Sequence, residues 1–107
     1  MTKPAALPTP GTLHKYGLTV ETANEILKRQ RGICPICERV PNGHWCIDHY
    51  HVKGWKNKPP EERVKYVRGL LCWFCNYYYL GKAITVRKAE NVVSYLKRFE
   101  QTEKGLK

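Results

Sequence analysis

Apolar residues recur at helical spacing in two stretches of the chain. Val20, Ala23, Ile26 and Leu27 fall on one face of a helix. Val86, Ala89, Val92, Val93, Leu96 and Phe99 fall on one face of a second. Thr19 and Thr85 stand where each helix starts, and a threonine hydroxyl there accepts from an orphan amide of the first turn. Glu21 lies in the first turn of the earlier helix, where the helix dipole favours an acid, and Gly32 stops that helix after Arg29 and Arg31. Short extended runs are expected at 45–48, entered from the Asn42-Gly43 turn, and at 67–71. Residues 53–63 are rich in Lys, Pro and Gly and read as a loop in which Pro59 and Pro60 start one helical turn. A helix is expected from about Asn76 until Gly81 breaks it.

The ends lack such periods. Residues 1–13, with Pro4, Pro8, Pro10 and Gly11, read as a flexible leader, and 102–107 as a frayed tail. One domain, 14–101, is expected between them, as a chain of 107 residues suggests. The fold class is α+β. A core this small gains from a staple such as a metal site.

Charge narrows the partner. Nineteen Lys and Arg face nine Asp and Glu, a net charge of +10, which favours a polyanion, nucleic acid before membrane surface. No signal peptide or membrane span is evident, so the expected compartment is the cytoplasm, including a host's cytoplasm if the gene is phage-borne. Cysteines stay reduced there, and five in a short chain point to metal ligation over disulfides.

Cys34-x-x-Cys37 and Cys72-x-x-Cys75 carry the strongest signal. Each turn lets two thiolates converge, and two turns complete the tetrahedral shell that zinc prefers. Such a shell is closed, so the expected Zn2+ is structural. Cys46 is left over and is expected to be a small buried residue.

Between the two turns lies Ile47-Asp48-His49-Tyr50-His51, and Asn76 directly follows the last cysteine. On an extended strand Asp48 and Tyr50 point one way, His49 and His51 the other. Phosphodiester hydrolysis needs a deprotonated nucleophile, neutralised phosphate charge and a stabilised leaving oxygen. A neutral His takes a proton near pH 7, and Asp and Asn oxygens suit Mg2+.

These pieces, in order, resemble the recombination endonuclease VII family of phage-type HNH (His-Me finger) nucleases. The likeness runs from Tyr16-Gly17-Leu18-Thr19 through Gln30-x-Gly32-x-Cys34-x-Ile36-Cys37 to Ile47-Asp48-His49-Tyr50-His51-x-x-Gly54. It continues with Val67-Arg68-Gly69-Leu70-Leu71-Cys72-x-x-Cys75-Asn76 and Leu80-Gly81, and covers residues 16 to about 98. The resemblance implies a ββα-metal core that cuts DNA as nicks or double-strand breaks, including in branched DNA. It implies that Asp48 and Asn76 hold a catalytic Mg2+ or Mn2+ and that His49 is the general base. His51 would contact the scissile phosphate or steady the site, and Arg68 would bind a backbone phosphate or stand as an exposed strand charge.

Two features depart from the family pattern. Residues 55–66 intervene where Gly54 is usually joined almost directly to Val-Arg-Gly-Leu-Leu-Cys. This insertion of roughly ten residues either reaches into a DNA groove or extends the β-hairpin. Junction-resolving members also carry a longer C-terminal region that supports an intertwined dimer. Here a homodimer would draw on the apolar face of the last helix, which otherwise serves as core. Lys53, Lys56 and Lys58, followed by Arg63 and Lys65, are candidate phosphate contacts, while Lys97, Arg98, Lys104 and Lys107 read as solvated. Trp73, Phe74, Tyr77, Tyr78 and Tyr79 are expected mostly in the core, with base stacking as the alternative. A non-catalytic zinc-knuckle module for DNA binding or packaging is the competing class; it has no need of Asp48, His49 and Asn76 together. An RNA nuclease would use the same groups.

Overall fold

The computed structural model describes residues 5–81 and 84–102, with side chains in the last helix described as far as Arg98. The assignments made above for residues 1–4, for 103–107 and for the Phe99 side chain lie outside it. Helix α1 (Pro10–Lys15) is followed by α2 (Val20–Arg29), strand β1 (Cys46–His49), the short α3 (Pro60–Arg63), strand β2 (Val67–Leu71) and α4 (Val86–Thr102). The two strands form one antiparallel sheet, with helices flanking it.

Residues 5–13 pack where a flexible leader was expected. Pro10 occupies the first turn of α1, where its missing N–H costs nothing, and the Thr9 hydroxyl accepts from the Thr12 amide. Leu13 is buried, and Ala5 and Leu7 pack on the core. Ala6 exchanges backbone bonds with Gly43 and Trp45, forming a short parallel bridge beside His44.

Thr19 caps α2, and Thr22 bonds back to the Thr19 amide, so each satisfies an orphan donor of the other. The α2 helix closes at Gln30, followed by Arg31 and Gly32 at positive φ. Buried Leu13, Leu18, Ala23, Trp45, Ile47, Leu70 and Leu71 form the core together with Cys34 and Cys75. Two of the four knuckle sulfurs are therefore core residues.

The insertion adds a single backbone bond to the hairpin, from the Tyr50 N–H to the Tyr66 carbonyl at 2.8 Å, and otherwise leaves it. Residues 55–66 fold into a 3-10 turn (Trp55–Asn57), α3 and a second 3-10 turn (Val64–Tyr66) that lie against the turn after α1. The approach is close. A side chain at Gly17 (φ +74°) would meet the Pro60 carbonyl oxygen and lie 2.8 Å from the Val64 Cβ, so only glycine fits.

Helix α4 is capped by Thr85, whose hydroxyl accepts from the Lys88 amide. Every described side chain from Val86 to Arg98 is exposed, so its apolar face is not the core position anticipated above. No helix among the described residues is long and apolar enough to cross a membrane.

Candidate active site and metal cluster

The sheet register contains one irregularity, and it falls at the site. Asp48 pairs with Gly69, but His49 pairs with Val67, leaving Arg68 without a partner across the ladder. An extra residue on one strand increases local twist and re-aims side chains. Here it frees Arg68 to reach across to Asp48. The Arg68 Nε donates to Asp48 Oδ2 at 2.8 Å and Nη2 donates to Oδ1 at 3.0 Å. Asp48 is only 5% exposed, and this two-point pair gives both of its buried oxygens a hydrogen-bond partner.

Asp48, His49 and His51 line one cleft of about 520 Å³ with Asn76, Tyr77, Leu80, Gly81 and Tyr16. The structure thus brings together two segments widely separated in the chain. Asn76 arrives through the second cysteine turn. It is the second residue of a π-helical turn, Cys75–Tyr79, and its amide donates to the Cys72 carbonyl at 3.0 Å. Strand β1 ends at His49, so the alternation expected above does not carry on to His51. The His49 and His51 rings nevertheless lie with their centroids 4.8 Å apart, in the same cleft as Asp48.

His49 is enclosed by rings. Trp55 stacks on it at 4.1 Å and 19°, and Tyr16 lies at 5.4 Å and 55°. Burial lowers the His49 pKa below the usual 6.5; neighbouring His51 and, more weakly, Arg68 act in the same direction, while Asp48 opposes them. The ring is therefore neutral at pH 7 and carries a free lone pair.

The four knuckle cysteines converge as their spacing predicts. The sulfurs of Cys34, Cys37, Cys72 and Cys75 lie within 4.8 Å of one another, and the cluster can hold a zinc ion. Burial works against a thiolate at Cys34, but the backbone amides of Cys37, Cys72 and Ile36 outweigh it and lower its pKa to about 7. Burial and the neighbouring sulfurs push the Cys75 thiol up. One ligand is thus ready to ionise, and the crowding that opposes a second thiolate is what a dication relieves. Glu38 takes a left-handed conformation (φ 63°) just after Cys37, folding the turn so that the Cys34 amide bonds the Arg39 carbonyl at 2.8 Å. Cys46 lies outside the cluster and is half-buried rather than buried.

Several expectations for the surface change. Trp73, Phe74, Tyr77, Tyr78 and Tyr79 are each more than half exposed, not core. The cysteines of the turn point inward to the cluster, which turns the residues between and after them outward. They pack on one another instead, with Trp73 and Tyr77 stacked at 5.1 Å and 6°. Arg68 is not an unpartnered strand charge, since its guanidinium holds Asp48 through Nε and Nη2. Arg63 donates to three backbone carbonyls, and Lys65 lies 3.5 Å from Glu62. Lys53 and Lys56 are exposed on the segment that carries Trp55, and the Lys58 ammonium lies 5.8 Å above the Tyr66 ring. Sequence reasoning assigned no role to Trp55. The available signal was a large aromatic side chain in an otherwise polar loop, four residues after His51.

Residues 11–98 match the sequence model of the recombination endonuclease VII family. A protein called Gene 59 protein from Mycobacterium phage D29 is 36% identical over 90 residues, covering 80% of this chain and 47% of its own length. The Gene 59 protein of Mycobacterium phage L5 is 39% identical over 74 residues, covering 66% of this chain and 38% of its own. The chain therefore spans less than half the length of these curated relatives. No solved structure matches it significantly. The match over most of the chain, and the knuckles and cleft lying inside it, establish that this chain belongs to the recombination endonuclease VII family.

Proposed function

We propose that the chain is a metal-dependent DNA endonuclease of the HNH (His-Me finger) type, with β1, β2 and the π-helical turn forming a ββα-metal centre. The observation that carries this reading is the single cleft lined by Asp48, His49, His51 and Asn76. His49, neutral at pH 7, accepts the proton of the water that attacks phosphorus. Asp48 and Asn76 offer hard oxygen ligands suited to Mg2+ or Mn2+. Arg68 uses one lone pair on each Asp48 oxygen, and a carboxylate oxygen keeps a second for a metal. When bound, the ion neutralises phosphate charge and stabilises the departing 3′ oxygen. His51 contacts the scissile phosphate or steadies the site. Cys34, Cys37, Cys72 and Cys75 would hold a structural zinc, whose closed shell would steady the turn that carries Asn76 and leave no open position for the reaction. Exposed Lys53 and Lys56 are suited to phosphate contacts, which position DNA without reading it.

The deciding experiment incubates zinc-loaded protein with supercoiled plasmid and Mg2+, beside His49→Ala and Asp48→Ala. Nicking by the parent is expected, with a loss of roughly 10²–10⁴-fold on removing the base. Asp48→Ala should be nearly inactive, and both variants should still bind DNA. Cleavage surviving in His49→Ala overturns the mechanism. Binding without cleavage by the parent leaves the non-catalytic module as the reading. A branched substrate beside a linear duplex reads junction preference: faster cleavage of the branch supports a resolvase, and equal rates argue against one.

A further inference from the structure

The 55–66 insertion delivers one side chain to the cleft and fastens it there. Of the rings around His49, only the Trp55 indole is close to parallel, at 19° and 4.1 Å between centroids. Tyr16 and His51 are tilted by 55° and 47°. Tyr16 also meets Trp55 at 5.6 Å, so the two larger rings form adjoining walls.

The indole is held from outside by Arg63, whose guanidinium carbon lies 5.3 Å from the ring centroid. All three guanidinium nitrogens donate to backbone carbonyls. Nε reaches Trp55 at 3.3 Å, Nη2 reaches Lys56 at 3.2 Å and Nη1 reaches Lys15 at 3.0 Å. Lys15 precedes Tyr16, so one arginine fastens the backbone beside both aromatic walls. The Gly17–Pro60 approach closes the same joint.

A histidine ring turns about a broad, nearly two-fold torsion. A base with that freedom aims its nitrogen at the water only part of the time. A parallel ring on one face and tilted rings at the edges remove most of it. Misplacement by an ångström costs on the order of 10²-fold in rate.

We propose that Trp55 is a positioning residue for His49, fixing the imidazole plane for proton transfer, and that Arg63 acts through it by locking the indole. The inference rests on the reading of His49 as the general base. Its consequence is specific to this chain: the insertion serves the reaction through orientation, separately from any DNA contact made by its lysines.

The test uses the full, zinc-loaded chain with supercoiled plasmid and Mg2+, comparing Trp55→Leu, Trp55→Phe, Arg63→Met and His49→Ala. Trp55→Leu fills space without a flat face and should slow cleavage at saturating DNA by roughly 10–100-fold. The half-saturating DNA concentration should stay within about twofold, the pattern of a loss confined to the chemical step. Trp55→Phe restores a flat ring and should recover most of the rate. In NMR spectra, the His49 ring protons should lose their indole ring-current displacement in Trp55→Leu, while those of His14 and His44 stay in place. A full rate in Trp55→Leu overturns the proposal, as does a defect confined to half-saturation, which would make the indole a DNA contact. If Trp55→Leu fails to fold by circular dichroism, Arg63→Met, which frees the indole without hollowing the segment, carries the same two outcomes. Undiminished cleavage by His49→Ala overturns the general-base reading instead. The ring-current comparison still reports whether Trp55 orients the imidazole, so the two failures are distinguishable.

Discussion

At the scale of single residues, the site is governed by what each polar group loses on leaving water. His49 loses hydration on the face covered by Trp55, and burial is the first cause of its lowered pKa. The unfolded chain takes up this proton near 6.5, above the folded value. Stability from the neutral ring is therefore complete above pH 6.5 and is lost as pH falls through the folded pKa. Cleavage should follow the same direction, full near neutrality and falling in acid. A heteronuclear NMR titration of the zinc-loaded chain without magnesium should place the His49 midpoint below 6.5; a midpoint at or above 6.5 contradicts the burial argument. The identity of Asp48, His49 and Asn76 as candidates was legible from residue type and from their placement around the knuckles. The Asp48–Arg68 pair was not. Strand alternation tells which residues share a face, but an unpaired residue in the register leaves no mark in a sequence read without its partner strand.

At the scale of elements, a side chain takes the place of a missing strand. The outer edge of β2 pairs with Gln30, which accepts from the Leu70 amide at 2.9 Å and donates to the Leu70 carbonyl at 2.9 Å. A further donation reaches the Ile33 carbonyl at 3.3 Å, tying the end of α2 to the sheet. Gly69 is part of this fit, because an added Cβ would lie 2.7 Å from the Gln30 Oε1. Gln30→Ala leaves part-buried backbone groups unpaired and should cost about 1–3 kcal/mol. That should appear as a Tm lower by roughly 5–15 °C in thermal unfolding; an unchanged Tm would show that the clamp contributes nothing. The helices α2 and α4 were legible because caps and a 3.6-residue period are local signals. The course of 55–66 was not, since its fastening depends on Arg63 reaching Lys15, 48 positions away. The exposed aromatic group was misplaced for a related reason. Hydrophobicity favours burial, but two inward cysteines decide the orientation of that turn.

At the scale of the whole molecule, core and metal cluster are one object, because Cys34 and Cys75 belong to both. Removing the metal leaves four sulfurs crowded within 4.8 Å without the charge that justifies their approach. A strong chelator should therefore collapse near-ultraviolet and far-ultraviolet circular dichroism together. Because the ligands must lose protons, the chelator concentration required should fall as pH is lowered. Unchanged spectra after verified metal loss would show that the apolar core suffices. The same cluster has a consequence for length. With metal bound, the 35-residue separation from Cys37 to Cys72 becomes a closed ring that contains β1, the inserted segment and β2. The entropy of closing such a ring grows only with the logarithm of its size. Lengthening it by roughly ten residues, from about 25, costs about 0.3 kcal/mol. The same lengthening inside a strand would shift the register and turn the core face outward. The ring is thus a place where this architecture can acquire new side chains beside the Asp48–His49 cleft at almost no expense to its stability, and Trp55 stands in that place.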